Sequence, residues 1–185
     1  TIGKQLFRGC MSLSSIVLPE GVTTIEDYAF YTCAALEHIE LPATITTIGA
    51  GAFMDCRKLR AIVIPEGVTR INNCTFEYCD VLQSVTLPTS LETMGYGVFS
   101  ECVALEQVII PQGVTSIGDG LFSGCRSLKS VALPASLTKV GKTIFEECTQ
   151  PITVYIPQGT KAHFDNLFAG QNISNISFVE AQPTL

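Results

Sequence analysis

Cysteine is the residue type whose number and spacing most directly suggest chemistry. The chain contains eight cysteines, and seven recur every 23 residues, at 10, 33, 56, 79, 102, 125 and 148. Zinc sites use ligands that lie close in sequence, such as Cys-x-x-Cys, and the chain has no such pair. Residues one repeat apart in stacked strands would lie about 4.8 Å apart, which permits a disulfide, but parallel side-chain directions disfavour the bond. The pattern therefore favours a column of reduced cysteines that act as small hydrophobic residues, with a disulfide as the less favoured alternative. Cys74 lies outside this period and is the best candidate for an exposed thiol, but a neutral surface or half-buried residue is the favoured interpretation.

Other residue types that carry enzymatic chemistry are scattered. The two histidines, His38 and His163, lie in different repeats and are too far apart to share a site. No Ser–His–Asp set and no glycine-rich phosphate loop is present. Glu146 and Glu147 are adjacent in a predicted turn, and we interpret them as solvated charge. We therefore expect no enzymatic activity, no bound metal and no cofactor.

Charge and hydrophobicity exclude further classes of partner. The net charge is −6 and no cluster of Lys and Arg is visible, so nucleic acid is not expected to bind. With 46% hydrophobic and 15% charged residues, the composition is that of a folded chain. No apolar run approaches the roughly 18 residues of a membrane helix, so insertion of this segment into a membrane is not expected.

The elements that position these residues follow one repeat. Phenylalanine recurs every 23 residues from Phe7 to Phe168, and proline does so from Pro19 to Pro157. In each unit a stretch such as 15–18 alternates in polarity, which predicts a short strand with its apolar face inward. Proline ends that strand, a Thr-rich segment forms the next side, and the stretch from Phe to Cys closes the outer side. Glycines after the Thr-rich segment, such as Gly49 and Gly95, are predicted to suit a tight corner.

One unit spans 33–53 and reads Cys-x-x-Leu-x-x-Ile-x-Leu-Pro-x-x-Ile-x-x-Ile-x-x-x-Ala-Phe. This pattern resembles the BspA-like class of leucine-rich repeats over residues 2 to about 157. The resemblance implies an α/β-type repeat solenoid that is mostly β, a right-handed coil with a stacked parallel β-sheet. Residues 1–157 then form about seven units, the first of them truncated. Residues 158–185 form a C-terminal cap of a short helix and a final strand, followed by a tail.

The cap prediction has support from the residues themselves. Thr160 is placed to cap a helix in which Phe164, Leu167 and Phe168 share one face. Ile176 and Phe178 then alternate in a last strand. The N-terminal end has no comparable lid. We therefore expect a segment taken from a longer array, whose open apolar end is prone to self-association.

The outward strand positions form the candidate binding surface. The central column is Val17, Glu40, Val63, Thr86, Ile109, Ala132 and Tyr155. The flanking column is Ser15, His38, Ala61, Ser84, Gln107, Ser130 and Thr153. We expect a partner to contact the central column together with His38. Branched and aromatic residues there favour a mildly apolar recognition patch, although β-branched residues also stabilise strands without any partner.

The resemblance supplies the functional hypothesis. It implies a concave strand face that binds ligands, on a secreted or surface-anchored microbial protein that adheres to host or matrix proteins, other cells or glycans. A passive spacer that carries other domains is the alternative.

A second period of 46 residues is superimposed on the first. The turn reads Pro-Glu-Gly at 19–21 and 65–67 and Pro-Gln-Gly at 111–113, whereas the intervening turns have Thr or Ser at the third position. Duplication of a two-unit block explains this period, and a binding face with double-unit spacing is the other interpretation.

Overall fold

Each 23-residue unit forms one coil of a solenoid, as the computed structural model shows for residues 1–181. Six coils contribute a short strand that ends near the proline and a two-residue strand from the Thr-rich segment, and the last coil contributes only the first kind. The first-side strands are β1 Ser15–Val17, β3 His38–Glu40, β5 Ala61–Val63, β7 Ser84–Thr86, β9 Gln107–Ile109, β11 Ser130–Ala132 and β13 Ile152–Ile156. The second-side strands are β2 Thr24–Ile25, β4 Thr47–Ile48, β6 Arg70–Ile71, β8 Thr93–Met94, β10 Ser116–Ile117 and β12 Lys139–Val140. Within residues 1–181 all strand pairings are parallel, and those from β1 to β13 join residues 23 apart. The prediction of a mostly β parallel solenoid is confirmed.

The last coil leads into a cap. Helix α1 spans Lys161–Leu167 and strand β14 spans Ile176–Glu180, which pairs in parallel with β13. Phe164 and Phe168 are buried. Thr160 occupies the position before the helix, but its side chain caps no helical N–H; its hydroxyl instead donates to the Pro157 carbonyl at 2.6 Å. Residues 182–185 of the predicted tail lie outside the described residues.

A stack of phenylalanine rings runs the length of the core. Eight rings from Phe7 to Phe168 stack consecutively, with centroids 5.1–6.3 Å apart. The backbone N–H of each phenylalanine from Phe7 to Phe122 donates to the next coil, as Phe30 does to the Ala52 carbonyl at 2.8 Å. The Phe period therefore provides an aromatic spine and a hydrogen-bond ladder on the outer side.

On the outer side, the chain changes direction at residues with left-handed backbone conformation and does not form a helical turn. Two positions in each coil have positive φ, and most of them are not glycine. Tyr28 and Thr32 of one coil have φ of 56° and 61°, and Cys74 and Tyr78 two coils later have 54° and 60°. Such non-glycine residues are uncommon. The inter-coil ladder on this side stabilises them in each repeat.

The corner glycines have a role other than the predicted one. Gly49, Gly95 and Gly141 are absent from the positive-φ residues. A Cβ on Gly95 would lie 2.7 Å from the backbone nitrogen of Asn73 in the coil before it. These glycines are required because two backbones approach closely, not because the corner needs their conformational freedom.

Side chains fasten the coils in pairs, and this gives the 46-residue period a structural basis. Three hydroxyls in alternate coils donate to a carbonyl in the turn of the preceding coil: Thr44 to Val22, Ser90 to Val68 and Ser136 to Val114. Three corner residues in the coils that receive those bonds accept an N–H from the same partner coil: Asp27 from Ala50, Asn73 from Tyr96 and Asp119 from Lys142. We call each such pair of coils a two-coil block.

Candidate binding surface on the strand face

The first-side strands bring the two predicted columns together on one face. Val17 pairs with Glu40, Val63 with Thr86, and Ile109 with Ala132 and then Tyr155. Because side chains alternate along a strand, the residue between the two columns, such as Ile39 or Ile62, is buried. The strand register therefore places the side chains of both columns on one face.

Exposure along the central column is uneven. Val17 is 91% exposed and Val63 64%, and Glu40 and Thr86 are also exposed. In the C-terminal half the prediction of exposed apolar residues is wrong: Ile109 and Tyr155 are half-buried and Ala132 is buried. Ala132 lies between those two bulkier residues in the register, so its methyl group is covered from both sides.

Carboxylates are concentrated in the first three coils at the edge of the strand face where each strand ends at its proline, which we call the proline side. Glu20, Glu40 and Glu66 are all exposed there. Glu40 lies 3.3 Å from His38 Nε2, and both side chains are largely exposed. Glu66 accepts hydrogen bonds from the Thr89 backbone N–H and hydroxyl, both at 3.0 Å, and these bonds hold the pKa of its carboxyl below the usual value. Within residues 1–181 no lysine or arginine forms an ion pair with these three carboxylates.

The opposite edge of the same face is electrically balanced. Glu37 pairs with Lys58 at 3.6 Å, and Glu106 pairs with Lys129 at 2.8 Å. Among residues 1–181, the first three coils therefore carry three carboxylates on the proline side that pair with no lysine or arginine, whereas the C-terminal end of the same face has Glu180 alone.

A shallow groove of about 580 Å³ crosses the face between β3 and β5. Ala43, Val63 and Pro65 form an apolar wall, and Glu40 and Glu66 contribute the carboxylates. The groove is the main feature that the sequence did not predict, because it depends on how two coils meet and not on the content of either.

The strand ladder is interrupted at this groove. Hydrogen-bonded neighbours on this side form three groups in residues 1–181: β1 with β3, β5 with β7, and β9 with β11, β13 and β14. On the second side, β2 to β12 form one continuous sheet. The interruptions fall between two-coil blocks. We call the groove at the first interruption the seam groove.

The cysteine column lies where the outer side of each coil ends, and six of its seven members are buried. Each buried member donates its thiol hydrogen to a phenylalanine carbonyl of the preceding coil, as Cys102 does to Phe76 at 3.1 Å. Cys79 and Cys125 make the same contact at 3.3 Å and 3.1 Å. Burial raises the pKa of Cys33 to about 11. This geometry suits protonated thiols.

The two other thiols are less buried. Cys74 is half-buried, as the favoured interpretation allowed, and burial raises its pKa to about 12. Its Sγ would lie 3.4 Å from a Cβ on Gly97, so the next coil covers it. Cys10, in the first coil, is half-buried as well.

The remaining candidates are not brought together. His163 is on α1, where its Nε2 lies 2.7 Å from the Leu137 carbonyl, far along the array from His38. In the part of the chain that the structure describes, no group of three His, Cys, Asp or Glu could hold a metal ion. Nor does any helix within residues 1–181 have the length and apolarity needed to cross a membrane.

Comparison with known proteins agrees with this architecture. The model of the BspA type leucine rich repeat region matches residues 1–111 and 92–184, with six copies. No curated protein sequence matches the chain.

Several solved structures have the same fold. The T. pallidum leucine rich repeat protein TpLRR is 29% identical over 91% of this chain and 87% of its own, with a TM-score of 0.64. A leucine-rich repeat protein from Bacteroides ovatus is 24% identical, with a TM-score of 0.56; the match covers 95% of this chain but only 56% of that protein. A leucine rich cell surface protein from Faecalibacterium prausnitzii is 21% identical, with coverage of 89% and 71% and a TM-score of 0.51.

Proposed function

Because the chain belongs to the BspA type leucine rich repeat family, we propose that it is a non-catalytic module that binds other proteins through its strand face. We place it on a microbial cell surface or in a secreted protein, in line with the similar structure of a leucine rich cell surface protein.

The observation that carries this proposal is the exposure of two large apolar residues on that face. Val17 and Val63 are 91% and 64% exposed. The fold does not require valine there, since Glu40 and Thr86 occupy equivalent positions in the same register. Apolar side chains that lie in register on a flat sheet, rimmed by polar residues, are typical of a protein interaction patch.

The decisive experiment compares binding by the parent chain and by a face variant. The immobilised chain is exposed to a panel of matrix proteins, serum proteins and glycans. The variant changes Val17→Arg and Val63→Arg, which places long charged side chains in the patch. Tyr78→Arg is the matched control, because Tyr78 is an exposed residue on the outer side.

Saturable binding that the face variant loses and the Tyr78 control retains would support the proposal. Binding that survives both changes would move the site off the strand face. If no protein of the panel binds, a passive spacer becomes the better account, and binding only to glycans would replace the protein partner with a carbohydrate. Circular dichroism of each variant verifies that the fold is retained.

A further inference from the structure

The seam groove combines features that belong to different parts of a ligand. Val63 and Pro65 with Ala43 offer an apolar wall, and Glu40 and Glu66 stand at its rim. Glu20 lies on the turn two coils before Glu66, and since coils stack at about 4.8 Å, the three carboxylates cover a span of about 10 Å.

These carboxylates are available to a partner. Glu40 has 88% of its side chain exposed, and its partner, His38, is 67% exposed. Glu66 is fixed by the Thr89 and Ser90 backbone N–H groups, at 3.0 Å and 3.4 Å. A carboxylate held by N–H donors on one side still presents lone pairs on the other.

The C-terminal half of the face lacks this combination. Its central column has Ile109, Ala132 and Tyr155, and its turns have Gln112 and Gln158 where the first and third coils have Glu. The site is therefore local to the first three coils rather than repeated along the array.

On the basis of the proposed function, we infer that the seam groove binds a lysine or arginine side chain on an extended basic segment of a partner protein. The aliphatic stem of such a side chain packs on the apolar wall while its cationic head reaches the carboxylates. The charge-assisted hydrogen bond to Glu40 is the stronger polar contact.

A short synthetic peptide of alternating Lys and Val, carrying a fluorophore, tests this inference by anisotropy. Two further peptides carry Nε-acetyl-lysine or Glu in place of Lys. Glu40→Gln removes one charge without changing the size of the side chain. Glu146→Gln is its matched control, because Glu146 is an equally solvated carboxylate on the outer side.

We expect the Lys peptide to bind about tenfold more weakly to Glu40→Gln, the factor for losing one charge-assisted bond. Binding should be unchanged in Glu146→Gln, should weaken at high salt, and should fail with the acetylated and Glu peptides. Equal weakening in both variants would mean unspecific attraction to an acidic protein and would overturn the inference.

The outcomes also separate this inference from the proposed function. One outcome would support the proposed function and overturn the cation site. A panel protein would bind the parent chain and fail to bind the Val17→Arg, Val63→Arg variant, while its affinity would not change with Glu40→Gln or with salt. If the Lys peptide also fails to bind, the strand face is an interface without a cation site. If neither the panel nor the peptide binds, both proposals fail.

Discussion

Replacing Gly95 by alanine should destabilise the solenoid far more than the same change at Gly3, although both glycines occupy the same position of the repeat. A Cβ at Gly95 would lie 2.7 Å from the Asn73 backbone nitrogen, and real Cβ atoms essentially never come closer than 3.0 Å to another atom. At Gly3 nothing lies within 4 Å of that Cβ. Neither residue is among those with positive φ, so the comparison isolates the steric effect.

The magnitude follows from the contacts at the corner. Forcing two backbones apart in a packed array costs about 1–3 kcal/mol. The shift also strains the hydrogen bond from the Tyr96 N–H to the Asn73 side chain, 3.2 Å long, which contributes about 1 kcal/mol. Alanine also lowers the conformational entropy of the unfolded chain, which stabilises the folded state by about 0.4–1 kcal/mol. We expect a net loss of about 1–3.5 kcal/mol for Gly95→Ala, and no loss for Gly3→Ala.

Urea unfolding measures the difference. The chain has five tyrosines and no tryptophan, so tyrosine fluorescence reports unfolding alongside far-UV circular dichroism. With a denaturant slope of about 2 kcal/mol/M, the Gly95→Ala midpoint should fall by about 0.5–1.7 M. Midpoints for the two variants that agree within about 0.3 M would refute the close approach as the reason for these glycines.

Three further predictions concern the thiols and the N-terminal coil. A thiol reagent should count eight thiols after denaturation but find the six buried ones protected in the native chain; a denatured total below eight would contradict a reduced column. Burial raises the pKa of Cys33 to about 11 and that of Cys102 well above its ordinary value. The stability that comes from keeping these thiols protonated is therefore complete below about pH 8.5 and is lost as pH rises toward 11 and beyond. Melting temperature should fall in that range, and less steeply in Cys102→Ala. Finally, Leu6 and Met11 are 59% and 65% exposed in the first coil, so we propose that the chain self-associates there. Sedimentation should show oligomers of the parent chain and monomers of the Leu6→Arg, Met11→Arg double variant. A monomeric parent chain would refute this proposal.

The fold was predictable because one period governs every level of the structure. Proline, phenylalanine and cysteine keep the same spacing without insertion, and each period coincides with a stacking direction in space. Alternation within each strand then determined the two columns of the face, since neighbouring side chains point to opposite sides.

The site was predictable only in part. Membership of a column does not determine exposure: Ala132 is covered because its neighbours in register happen to be large. The seam groove lies at the interruption of the strand ladder between β3 and β5. The sequences of these two coils follow the same repeat as the others, so they did not indicate the interruption. The positive φ of Tyr28 and Cys74 could not be predicted from the sequence, because tyrosine and cysteine are not residue types that usually adopt left-handed backbone.

The two explanations of the 46-residue period are connected by the structure. Hydroxyl bonds at the turns and carboxylate or amide bonds at the corners join coils within a block. The strand ladder is interrupted between blocks, after β3 and after β7, and continues past β11 where the cap strand β14 extends it. Side-chain bonds are concentrated within blocks, although Asn72 also donates to the Ile48 carbonyl across the first interruption, at 2.7 Å. The seam groove lies at this interruption, with the exposed Val63 and Glu40 among its lining residues. Grooves also open within blocks, between β1 and β3 and along β9, β11 and β13, so the groove at the seam is distinguished by Val63 together with Glu40 and Glu66 and not by concavity alone.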